Sequence, residues 1–143
     1  MLPMNLLFKN YKNLMIDMKN FDKLLELIEK LRSESGCPWD REQTIKSLRE
    51  DLMSEAKEVA EAIDKDDYEN LKEEIGDLIW SAALITQIAK EEKLFDMDDV
   101  LKTVNEKMVR RHPHVFGDKK AKDGKEAKKF FNEVKNNEKK SSS

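Results

Sequence analysis

The sequence predicts an all-α chain, folded as an antiparallel helix bundle, on three observations. Charged residues make up 40% of the 143 and aromatics 7%, a balance that suits long amphipathic helices better than sheets. Only four Gly and three Pro occur, so helix breaks are few. Apolar residues recur at three- and four-residue spacing, and no stretch alternates with strand period.

The elements follow in order. Residues 1–19 read as an N-terminal extension. Lys9, Lys12 and Asp17 interrupt its apolar residues, so neither a signal peptide nor a membrane span is written there. Leu24, Leu27, Ile28 and Leu31 predict a first helix from about Phe21 to Ser33. Gly36 and Pro38 break it, leaving Glu34-Ser35-Gly36-Cys37-Pro38-Trp39-Asp40 as a loop. A second helix starts at Thr44, an N-cap residue, and runs to about Asp64, with Ile45, Leu48, Leu52, Ala56, Val59 and Ile63 as its core stripe. Asp66-Asp67 opens a third, ending near Glu92. Its main apolar arc is Leu71, Ile75, Leu78, Ala82, Ile85 and Ala89, and Trp80, Leu84 and Ile88 form a second strip roughly opposite. A helix apolar on nearly all sides needs neighbours on all sides, so a homodimer or homotetramer is expected. The fourth helix runs from Asp96 to about Arg111, where His112 precedes Pro113. A last one, about Lys125 to Asn136, carries Phe130, Phe131 and Val134, and the Lys/Ser-rich residues 137–143 are expected to be disordered. The helical domain is thus placed at 20–136, long enough to hold a single core.

A net charge of −3 argues against general nucleic-acid binding, although Lys119, Lys120, Lys122, Lys125, Lys128 and Lys129 make the tail locally basic. The single cysteine, Cys37, cannot form an internal disulfide, which fits a reducing compartment. The expected location is cytoplasmic, with no membrane partner.

The chemistry points to four carboxylates. Glu55 and Glu58 on the second helix, and Glu74 and Asp77 on the third, are spaced three apart, which puts each pair on one helix face. Glu74 and Asp77 fall inside the extended apolar arc of their helix, and Glu55 lies on the flank of its core stripe. Two carboxylates about 5 Å apart repel by roughly 3 kcal/mol at an effective dielectric near 20. Two readings follow. Facing pairs make an all-oxygen cage for Mg²⁺ or Mn²⁺, or the acidic flank of a bundle is neutralised by Lys and Arg. Similar pairs at Glu26/Glu29, Glu61/Asp64, Asp64/Asp67 and Asp96/Asp99 read as solvated faces.

Lys107, Arg110 and Arg111 cluster at the end of the fourth helix. They either complement its negative terminus or hold phosphates. His112 and His114 lack a third ligand for zinc and read as turn or capping residues. Trp39 either stacks on a nucleobase or plugs the bundle end.

Four segments, ESGCPWDREQT at 34–44, SEAKEV at 54–59, EEIGDL at 73–78 and NEKMVRRHPHVFGD at 105–118, resemble the MazG family of nucleotide pyrophosphohydrolases over about residues 20–135. The resemblance implies an all-α enzyme of the NTP pyrophosphatase type. With Mg²⁺, such an enzyme cleaves a nucleoside triphosphate between the α and β phosphates, giving a monophosphate and pyrophosphate. The family pattern EExxE, followed by ExxD, maps Glu55, Glu58, Glu74 and Asp77 onto the metal ligands and KxxRR maps Lys107, Arg110 and Arg111 onto phosphate contacts. By the same mapping Phe131 stands where relatives often carry a base-stacking Trp, and Ser54 replaces the first Glu of EExxE. Glu58 and Glu55 are the residues implied in orienting or deprotonating the attacking water. The Ser54 departure keeps a second reading open, a regulatory helical protein that binds metal and nucleotide with little or no hydrolysis.

Overall fold

The computed structural model describes residues 18–142. Among them are seven helices and no strand: α1 (Lys19–Arg32), α2 (Pro38–Glu42), α3 (Arg49–Asp64), α4 (Tyr68–Glu91), α5 (Met97–Arg110), α6 (Pro113–Phe116) and α7 (Gly124–Ser141). The all-α expectation holds. Most of the N-terminal extension, and the reading of it as neither signal nor span, lies outside the described residues. No described helix is long and apolar enough to cross a membrane. The chain divides into two compact units between Met97 and Asp98.

The first unit holds α1 to α4. Its core is Ile28 from α1, Leu48 just before α3, and Ala83, Leu84 and Ile88 from α4, with Leu24, Leu25, Ile45, Trp80, Ile85 and Met97 packed around them. α1 ends where expected because the chain doubles back: Gly36 N–H donates to Ser33 O and Cys37 N–H to Leu31 O, both at 2.8 Å. A Cβ on Gly36 would collide with the carbonyls of Lys30 and Leu31. The expected loop contains the single-turn α2, too short for hydrophobic periodicity to reveal. Pro38 starts it, its fixed φ suited to a first helical position. Arg32 ties these pieces together. Its guanidinium donates to the carbonyls of Asp40 and Gln43 and pairs with Glu91 near the end of α4.

Thr44 does not begin α3. Ser47 N–H donates to Thr44 Oγ1 (3.0 Å) and Thr44 N–H to Ser47 Oγ (2.8 Å), and this exchange closes a turn before the helix starts at Arg49. Asp67 does cap α4, accepting from Asn70 N–H at 3.2 Å. The link between α3 and α4 is only Lys65-Asp66-Asp67, with Asp66 in the left-handed region at φ 53°. So short a link between packed helices makes an antiparallel hairpin.

Burial along α4 is shared between the two strips, with Ala89 of the main arc buried. Leu84 and Ile88, from the supposed secondary strip, are fully buried. Ile75, from the supposed main arc, is 42% exposed, and Ile63 of the α3 stripe is 55% exposed. Helical period locates the apolar directions, but packing decides which residues along them are covered.

The second unit holds α5 from Asp98 onward, α6 and α7. Asp123 caps α7 by accepting from Glu126 N–H, while the Glu126 carboxylate accepts from Lys122 N–H. α7 packs its phenylalanines on the histidines: Phe131 lies edge-on to His112 and Phe130 is tilted against His114. The helix runs to Ser141, past the end expected near Asn136. Glu138 pairs with Arg110 and Arg111, Lys139 and Lys140 complement the negative terminus, and Ser141 and Ser142 hydroxyls donate back to the carbonyls of Asn137 and Glu138.

Candidate functional site

The hairpin brings two carboxylates of α3 against one of α4. One oxygen each of Glu55, Glu58 and Glu74 lies within 4.8 Å of the others. Asp77, one turn along α4 from Glu74, is not in that trio, but its charge acts on both Glu55 and Glu74. Glu55 and Glu74 are half-buried, and Glu58 and Asp77 are exposed. Ser54, in place of the family pattern's first Glu, donates its hydroxyl to Glu58 Oε1 at 3.4 Å.

Burial first, then the charges of Glu58, Asp77 and Asp51, hold the Glu55 carboxyl above its ordinary value. Glu74 is raised by burial, by a hydrogen bond with Glu58, and by the charges of Glu58, Asp77 and Glu55. The alternative, in which Lys and Arg neutralise this flank, has no ion pair behind it: among the described residues none reaches these four carboxylates, and the nearby Lys57 and Lys72 pair with Glu61 and Glu69 instead. Glu55 Oε2 is buried without a hydrogen-bond partner. An all-oxygen donor set with an orphaned buried oxygen and no ion-paired cation among the described residues fits a hard divalent ion.

Within the second unit, Arg110 and Arg111 converge on Glu138. Arg110 Nε donates to Glu138 Oε1 at 2.6 Å, and Arg111 Nε and Nη2 donate to Oε2 at 3.1 and 2.8 Å. The two guanidinium groups hold the Glu138 carboxyl down at about 2. Arg111 also lies over the Phe131 ring, 5.4 Å from its centroid, so Phe131 is engaged by Arg111 and His112. Lys107 is half-buried one turn earlier on α5. His112 Nδ1 sits 2.5 Å from Met108 O, a capping contact. A groove of about 350 Å³ lined by Asn105, Met108, Val109, His112, Val115 and Phe116 lies along another face of α5. Trp39, on α2 of the first unit, is 55% exposed.

Sequence reasoning missed Glu138 and Arg32. Glu138 stands 28 and 27 positions from its partners, in a Lys-rich run that reads as a solvated tail. Arg32 reads as an ordinary last-turn cation. No local pattern marks either.

A family described as the MazG nucleotide pyrophosphohydrolase domain matches residues 43–116. A Thermotoga maritima protein called "Nucleoside triphosphate pyrophosphohydrolase/pyrophosphatase MazG" is 49% identical over 98 residues, which is 68% of this chain and 38% of that protein. The Escherichia coli K12 "Nucleoside triphosphate pyrophosphohydrolase" is 38% identical over 122 residues, 85% of this chain and 46% of that one. This chain therefore spans less than half the length of either relative. The crystal structure of a mazG-related protein from Thermotoga maritima matches with a TM-score of 0.66 at 42% identity, covering 80% of this chain and 98% of that one.

Proposed function

The chain belongs to the MazG nucleotide pyrophosphohydrolase family, and from that premise we propose that it hydrolyses nucleoside triphosphates between the α and β phosphates, releasing a nucleoside monophosphate and pyrophosphate. The observation that carries the reading is the trio Glu55, Glu58 and Glu74, brought together with no cationic side chain paired to it among the described residues. Glu55, Glu58 and Glu74, joined by Asp77, would hold Mg²⁺ or Mn²⁺. That ion, when bound, supplies charge neutralisation and polarisation of phosphate oxygens.

The protein groups divide the remaining work. Glu58 is exposed and receives the Ser54 hydroxyl, so its second oxygen can orient or deprotonate the attacking water, with Glu55 beside it. Lys107, Arg110 and Arg111 hold the anionic leaving group, the guanidinium forks suiting phosphate oxygens. Trp39 offers an exposed indole for stacking on the base, and Phe131 acts through the arginine it supports. The partners in this reading are a nucleoside triphosphate and a further copy of the chain, as homodimer or homotetramer. Two exposed heptad-spaced stripes support self-association: Met53, Ala56, Ala60 and Ile63 on α3, and Tyr68, Ile75, Ile79 and Ala82 on α4. The unpaired Cys37 supports a cytoplasmic setting.

The test is product analysis by ion-exchange chromatography after incubation with a panel of NTPs and dNTPs, with Mg²⁺ or with EDTA. Monophosphate and pyrophosphate formed only with Mg²⁺ is the expected result. Diphosphate and phosphate would place cleavage at another bond. Nucleotide binding without product would move the reading to the regulatory, non-hydrolysing alternative.

A further inference from the structure

We propose that Glu138 is a positioning residue for triphosphate binding, aligning the Arg110 and Arg111 guanidinium groups from the last helical turns of α7. The inference rests on the phosphate-holding role given to those arginines above and extends it to a residue outside every motif in the sequence.

The geometry supports alignment over simple charge pairing. Adjacent arginines repel one another, and each has a long, freely rotating side chain whose ordering costs entropy on binding. Glu138 offsets both effects by taking one arginine on each carboxylate oxygen. It engages Arg110 only through Nε and Arg111 only through Nε and Nη2. Among the described residues, no other hydrogen bond engages the Nη1/Nη2 end of Arg110 or Nη1 of Arg111, which leaves them to a second anion. Phe131 supports the Arg111 guanidinium from its ring face. An open cleft of about 610 Å³, lined by Arg110, Val134, Asn137, Glu138, Ser141 and Ser142, gives a phosphate access to the Arg110 side of the pair. Two cations with one carboxylate leave the cluster a single net positive charge, so it still attracts a phosphate after Glu138 is satisfied.

The test is a kinetic cycle on the full chain with Mg²⁺ and a nucleoside triphosphate, comparing wild type, Glu138→Ala, Arg110→Ala/Arg111→Ala and the triple variant, each assayed well below its melting temperature. Glu138→Ala is expected to raise KM about tenfold, the order of one charge-assisted hydrogen bond, with kcat within about twofold. In the background lacking both arginines, the same substitution is expected to add nothing. A merely structural anchor for α7 would impose the same penalty in both backgrounds and so overturn the proposal, as would an unchanged KM. A fall in KM would overturn it in the other direction, making Glu138 a competitor that substrate must displace. Should the wild type show no turnover, the pyrophosphohydrolase reading fails by itself, and the cycle is read on tripolyphosphate affinity. A wild type that neither hydrolyses nor binds a triphosphate overturns both.

Discussion

Glu55, Glu58 and Glu74 crowd one another across the α3–α4 hairpin, one oxygen of each within 4.8 Å of the others, and this crowding of carboxylates sets the behaviour of the protein without metal. Glu55 and Glu74 both titrate above the ordinary carboxylate value of 4.5. As pH rises past 4.5, the folded state therefore holds more protons than the unfolded chain. By linkage, stability is full below that value and declines as pH rises through the raised values. In EDTA the wild type should lose melting temperature relative to Glu55→Gln/Glu74→Gln as pH climbs from 4.5, and saturating Mg²⁺ should abolish that loss. A pH-independent difference between the two would remove the electrostatic account. Glu74→Ala should reduce turnover by about 100-fold or more through loss of a metal ligand, while far-UV circular dichroism stays unchanged. Full activity in that variant would reject the site. These residues were legible in the sequence because i,i+3 spacing is a local property: each pair shares a face however the helix packs. Ser54 was legible as a departure from a pattern, but its bond to Glu58 depended on rotamers that no spacing encodes.

At the scale of elements, the breaks were read correctly and the capping signals only partly. Gly36 was expected to end α1, and the structure adds the reason, a backbone approach so close that Lys30 and Leu31 carbonyls leave no room for a Cβ. Since backbone rather than a flexible side chain fills that space, Gly36→Ala should destabilise the fold by about 2 kcal/mol or more. Urea titration would measure it, and a neutral result would show that the turn can shift. Asp67 caps α4 as its position suggested, whereas the Thr44 hydroxyl closes a turn. Each residue offers a side-chain oxygen to an N–H three positions on. The difference lies in whether the following residues propagate the helix, and 45–48 do not. α2 and α6 each begin at a proline, and each is too short to show a period.

For the whole molecule, the exposed apolar stripes of the hairpin favour a covering partner. Ile79 is 45% exposed and Ile75 42%, and burying such side chains at about 25 cal/mol per Å² is a substantial drive to association. If a second copy covers them, Ile75→Glu/Ile79→Glu should run as a monomer by light scattering where the wild type runs as a dimer or tetramer. A wild type that is itself monomeric at high concentration would remove the homo-oligomer from the proposal. The sequence by itself determined the all-α class, most helix spans and the two acidic pairs, because helical period and i,i+3 spacing are set along a single axis. Only the tertiary structure decided which residues of α4 are buried, that Glu55 and Glu58 meet Glu74, that the neighbouring lysines pair elsewhere, and that Glu138 reaches both arginines. A period reports directions around one helix, whereas the neighbour that occupies a direction is chosen by packing between segments distant in the chain.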